Sequence, residues 1–193
     1  MRSFLEKEVS DSVLEKILDA ARWAPSAHNS QPWRFIVVRD IKTKQVLAKA
    51  MAESWNNDLE KDEISTKERQ NLIRGSIRRF TDPPIIIVVC LTMDGMNKYA
   101  DKKRKEAEFI MAIQSVANSI QNILLAVYAE RLGACWFCAP LFCQKTVRRI
   151  LGIPKNVYPQ TLITLGYPAE KPIVPHRKPL ESIVYQNRWG CKR

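Results

Sequence analysis

The sequence predicts an α+β fold in which helices flank a central sheet, and three observations carry that prediction. Residues 85–91, IIIVVCL, form an unbroken apolar run rich in β-branched side chains and bounded by prolines and by Asp94-Gly95, as a central strand requires. Shorter strand-like runs stand at 34–38 and 161–168. Between them lie segments whose apolar residues recur at three- and four-residue steps, the longest spanning 106–131.

The elements follow in order. Ser10 or Asp11 caps a helix whose apolar face is Val13, Leu14, Ile17, Leu18 and Ala21, and Pro25 interrupts it. Ser26, His28, Asn29, Ser30 and Gln31 then crowd hydrogen-bonding side chains between Pro25 and Pro32. A loop that only turned the chain would favour Gly or Asp-Gly, so this one suits gripping a planar polar ligand, beside the plainer reading of a polar turn anchored by Trp33. Residues 41–55 and 59–73 read as two amphipathic surface helices with Asn56-Asn57-Asp58 between them. Residues 93–104 read as a polar, mobile loop. The 106–131 helix is uncharged from Phe109 to Ala129 and long enough to span about 30 Å, but Gln114, Ser115, Asn118, Ser119, Gln121 and Asn122 lay a polar stripe along it. That stripe fits a helix buried between protein layers and stopped at Gly133, not a membrane span.

At 193 residues the chain is expected to form one domain over 1–193, enough to bury about 70% of the surface its unfolded form exposes. Five cysteines and no N-terminal secretory signal point to free thiols in a reducing cytoplasm. Cys135, Cys138 and Cys143 make a C-x2-C-x4-C run, but no second pair completes a zinc or iron–sulfur set, so no metal is expected. The net charge of +11 raises the question of nucleic acid. Its cations are spread along the chain with acids among them, which favours a solvated surface and an anionic ligand. No Ser-His-Asp set, paired carboxylates, P-loop or dinucleotide glycine fingerprint appears, so no catalytic side chain is assigned.

Ala24-Pro25-Ser26-Ala27-His28-Asn29-Ser30-Gln31-Pro32-Trp33-Arg34-Phe35 resembles the A-P-S-x-x-N-S-Q-P-W-x-F signature of the FMN-dependent nitroreductase superfamily. The resemblance runs on from Arg2 to Val184. It implies an α-β-α sandwich with a mostly antiparallel sheet, and a homodimer with the long helix at its centre. It also implies a cofactor cradle. Pro25, Ser26, Ala27 and Asn29 would contact FMN. Trp136, Phe137 and Cys138, in a segment paired with Leu151-Gly152-Ile153-Pro154, would approach the flavin ring, with Cys138 where the family usually has Gly. Arg177 and Lys178, in a stretch resembling R-K-P-L-E-E-I-V, would reach the phosphate. Arg2, followed by Ser3, matches the second arginine of the family's N-terminal R-R-S-x-R-x-F; the first half, whose Arg and Ser bind phosphate in the family, has no counterpart. Arg74 to Asp82 spells R-x-S-x-R-x-F-x-D in the wrong context and is read mainly as coincidence, although Arg74, Arg78 or Arg79 near the flavin would stabilise its negative charge.

The resemblance implies ping-pong transfer of hydride through flavin N5 between a small-molecule donor and acceptor, NAD(P)H or a deazaflavin. Residues 54–59, 107–111 and 133–136 look most like the C-terminal FMN domain of bifunctional deazaflavin-coenzyme glutamate ligases. The C-terminal residues 185–193 are expected against another subunit. Two other readings stand beside this one: a flavin-consuming ring-cleavage enzyme of the same fold, and a basic, non-enzymatic nucleic-acid-binding protein.

Overall fold

The computed structural model describes residues 1–191. Four strands form one antiparallel sheet in the order β1-β2-β4-β3: β1 Trp33–Val38, β2 Ile85–Thr92, β3 Gly133–Phe137 and β4 Val157–Gly166. β2 is buried along its whole length because it is central and covered on both faces. Its side chains alternate between two cores. Ile85, Ile87, Val89 and Leu91 pack against α1 (Asp11–Arg22) and α4 (Lys102–Ala129). Ile86, Val88 and Cys90 pack on the other side with α2 (Ile41–Lys61), Phe80 of α3 (Thr66–Thr81) and Val147 of α5 (Gln144–Leu151). The result is the expected α-β-α sandwich.

Helix ends follow their caps. Ser10 accepts from the Val13 N–H at the start of α1, Asp40 from Thr43 at α2 and Asp101 from Arg104 at α4. Several boundaries differ from the sequence reading, among them the end of α3 at Thr81, past the expected 73. Asn56-Asn57-Asp58 does not separate two helices; α2 runs through it, because Leu59 still faces the core. The break falls at Asp62, and Ser65 starts α3 by accepting from the Glu68 N–H. α4 begins one turn earlier than expected, so Lys102 to Arg104 are helical and not loop. It also ends earlier, at Ala129, where Arg131 takes the left-handed turn (φ 57°), and Gly133 is already strand. β4 starts at Val157, ahead of the expected 161, and the β2–β4 register shifts between Val89 and Cys90, leaving Gln160 as the extra residue of β4. The 18-residue apolar window of α4 that would suffice to cross a membrane belongs to a helix whose Ala112, Val116, Ile120, Ile123 and Val127 lie in the first core.

Candidate functional site

The loop after α1 is held by the polar side chains of α4. Asn122 donates to the Ala20 carbonyl at 2.9 Å, Asn118 to Pro25 at 3.4 Å, and Ser115 accepts from the Ala27 N–H at 3.1 Å. Half of the polar stripe is thereby explained: it serves as a rack for another segment's backbone. Within the loop, Ser26 Oγ accepts from the Gln31 N–H at 3.1 Å, and Arg34 donates to the carbonyls of Gln31 and Trp33.

These bonds hold an unfavourable backbone. His28, Asn29 and Gln31 all lie at φ between 47° and 56°, without being glycine. Each such residue costs on the order of 1 kcal/mol, and such strain persists only where the surroundings over-determine it. The rack of α4 does so.

A cavity of about 370 Å³ opens on the opposite face of the sheet, between α2, α3 and the segment after β3. Trp55, Phe80, Phe137 and Phe142 give it aromatic walls, while Asp58, Ser76, Arg79 and Cys138 supply polar groups. The Arg79 guanidinium lies over the Phe137 ring, and Phe80 meets that ring edge-on at 5.2 Å. Cys143, also in the wall, is pushed up to about 11 by burial and by the nearby charge of Asp58. Among the described residues no group of three or more His, Cys, Asp or Glu is placed to hold a metal ion.

The sequence-predicted residues fall at five places in one chain. Pro25, Ser26, Ala27 and Asn29 share the racked loop at the β1 edge. Phe137 and Cys138 line the cavity at the β3 edge, three strand spacings away, or about 14 Å. Trp136 does not join them, since alternation along β3 turns it to the other face of the sheet. Arg2 and Ser3 lie at the opposite end of the sheet, where the Ser3 carbonyl accepts from Ala169 and Phe4 bridges Pro168. Arg177 and Lys178 are exposed in the extended segment after β4. Sequence reasoning did not assign Trp55, Asp58 or Ser76. The Arg74–Asp82 motif was the available signal for Ser76 and Arg79, because it lies on the α3 face that closes the cavity.

The nitroreductase family model matches residues 1–167. The chain belongs to the nitroreductase family. A protein of Archaeoglobus fulgidus named "Putative NADH dehydrogenase/NAD(P)H nitroreductase" is 31% identical over 173 residues, covering 89% of this chain and 81% of that one. An NADH dehydrogenase of Thermus thermophilus is 30% identical over 208 residues, covering 95% and 89%. Among solved structures, a "putative nitroreductase in complex with fmn" from Desulfovibrio desulfuricans aligns at TM-score 0.69 and 25% identity over 98% of this chain and 91% of that one.

Proposed function

We propose that this nitroreductase-family chain is an FMN-dependent oxidoreductase that works as a homodimer. The racked loop carries the reading: three strained residues and four directed hydrogen bonds preserve one backbone shape around Ser26 and Asn29, as a preorganised ligand clamp requires. The cavity at the β3 edge fits a flat ring with a polar edge, having aromatic walls, one cation, Arg79, alongside the carboxylates of Asp58 and Asp62, and a volume in the range of about 300–1,000 Å³ usual for ligand pockets. Bound FMN supplies hydride chemistry at its N5. Arg79 would stabilise negative charge at the ring's polar edge, Ser26 and Asn29 would orient it, and Arg177, Lys178 and Arg2 would bind its phosphate.

Separation of these groups within one chain supports the dimer, because a second copy can bring a racked loop to a cavity that its own loop does not reach. α4 leaves Ile110, Ile113, Leu125 and Tyr128 outward at helical spacing, Tyr128 being 82% exposed. The segment after β4 holds Ile173, Leu180 and Trp189 in solvent. Both surfaces would be covered by a partner chain.

The names of the relatives support NAD(P)H as donor. The spread cationic surface and the segments around 54–59, 107–111 and 133–136 support an anionic acceptor of the deazaflavin type, with donor and acceptor taking turns at one site. Purified protein titrated with FMN tests the reading. Flavin bands that shift on binding, followed by bleaching with NAD(P)H and recovery with a deazaflavin, are expected. A featureless protein that leaves the FMN spectrum unchanged overturns the enzyme reading. Oxygen-dependent loss of the flavin itself replaces it with ring cleavage.

A further inference from the structure

Glu108 is a carboxylate almost without access to water. It lies in the second turn of α4, 3% exposed, and both its oxygens are engaged by loops. With its proton on Nε2, His28 donates to Oε1 at 3.2 Å, and the Asn97 backbone N–H donates to Oε2 at 3.2 Å. His28 sits in the left-handed turn of the racked loop, and Asn97 in the loop joining β2 to α4. Three further contacts join the same loops, the first of them direct and solvent-exposed: the Asn97 side-chain amide nitrogen lies 3.2 Å from His28 Nε2. Ser30 Oγ donates to Met96 Sδ at 3.1 Å, and Gly95, whose left-handed φ of 78° suits glycine, packs against Ser30.

We propose that Glu108 is a positioning residue: through His28 it fixes the turn that carries Asn29, through Asn97 it closes the 93–101 loop on that turn, and the two loops open as one unit. The physical reason is the burial of its charge. A desolvated carboxylate with two partners loses half its compensation when either loop leaves, so release of one weakens the hold on the other. Among the described residues Glu108 is the buried charge that both loops share, whereas the direct His28–Asn97 contact is exposed, which makes Glu108 the joint. Resting on the FMN reading above, a second consequence follows: cofactor bound at Asn29 orders the 93–101 loop, and so links cofactor occupancy to the shape of the neighbouring entrance.

Hydrogen–deuterium exchange on the full chain without added FMN tests the joint directly. His28→Ala is expected to speed exchange of the amides at 94–99, across the joint, by about tenfold or more, while β2 amides keep their rates. His28→Gln, whose amide can still donate to Oε1, should restore slow exchange there. Acceleration confined to 26–31 overturns the proposal. Should His28→Ala fail to fold, the wild-type chain decides: the amides at 26–31 and 94–99 must show one common opening free energy across a denaturant series, and two distinct values overturn it. With FMN present, saturation should slow exchange at 94–99 in wild type and not in Glu108→Ala. Failure to bind FMN at all would sink the functional reading while leaving the exchange coupling intact, so the two failures are distinguishable.

Discussion

The guanidinium carbon of Arg79 stands 5.5 Å from the centre of the Phe137 ring, which brings the last turn of α3 onto the end of β3 and places a cation in the cavity wall beside Cys138. A cation stacked on an aromatic face is restricted in orientation before any ligand arrives. Loss of a charged hydrogen-bond donor to a bound flavin costs about 1.5–3 kcal/mol, so Arg79→Ala should weaken FMN binding by roughly ten- to a hundredfold. Arg79→Lys keeps the charge without the planar stack and should fall between. Fluorescence-quenching titrations of FMN read all three, and wild-type affinity in Arg79→Ala would place the ring elsewhere.

Arg177 and Arg2 make a second pair for comparison. They lie at different places in the chain, the first in the exposed segment after β4 and the second at the sheet end near Ala169. If Arg177 bears the phosphate through its planar fork, Arg177→Ala should raise FMN dissociation about tenfold or more, and Arg2→Ala less, since Arg2 matches only the second half of the N-terminal motif. A larger effect at Arg2 would reverse the assignment.

The thiols should separate by burial. Burial pushes Cys90 up to about 12, and burial followed by the charge of Asp58 pushes Cys143 up to about 11. At pH 8 burial keeps Cys143 almost wholly in the thiol form, so alkylating reagents should label exposed Cys138 first and reach Cys90 and Cys143 only on unfolding. Peptide mapping by mass spectrometry checks the order. The same shifts set a stability trend. A folded-state thiol held above its unfolded value of 9.0 contributes stability in full below pH 9, and that contribution is lost as pH rises towards 11. Wild type should therefore lose more stability between pH 8 and pH 10.5 than Cys143→Ala, measured by urea midpoints.

Much of the fold was legible because its signals are local. The apolar run of β2, the three-and-four spacing of α1 and the cap at Ser10 each lie within one element. What escaped the reading was set by contacts between distant segments. The polar stripe of α4 is visible as a pattern, but its task depends on Ser115 meeting Ala27, 88 positions away. Asn56-Asn57-Asp58 looks like a break, yet Ser54, Trp55 and Asp58 face a cavity whose other wall comes from β3. The left-handed turn at His28, Asn29 and Gln31 has no glycine to announce it. The family motif located the loop, whereas the cavity needed α3 and β3 to be brought together first.

Gly133 and Gly166 face each other across β3 and β4, and they should tolerate a methyl group unequally. A Cβ at Gly166 would stand 2.6 Å from Pro84 Cγ, part of a rigid ring at the entrance to β2. At Gly133 it would meet Met1 Cγ at 2.5 Å, in a flexible side chain at the chain's start. Overpacking against rigid neighbours costs about 1–3 kcal/mol, so Gly166→Ala should be destabilised by that amount and Gly133→Ala by less. Equal urea midpoints for the two variants would show that Pro84 yields as easily as Met1.

Two serines on α4 should respond with opposite signs. Ser115 Oγ accepts the Ala27 N–H and donates to the Met111 carbonyl, so Ser115→Ala strands an amide of the racked loop and should cost about 1–2 kcal/mol. Ser119, one turn on, is fully buried, and its Oγ finds no partner among the described residues. Removing an unpaired buried hydroxyl relieves a desolvation penalty, so Ser119→Ala should leave stability unchanged or raise it by up to about 1 kcal/mol. FMN affinity should fall only in Ser115→Ala, because only that substitution loosens the turn bearing Ser26 and Asn29. Thermal melts and FMN titrations of both variants, run together, check the contrast; a loss of affinity in Ser119→Ala as large as in Ser115→Ala would mean that α4 acts through its general packing and not through the rack.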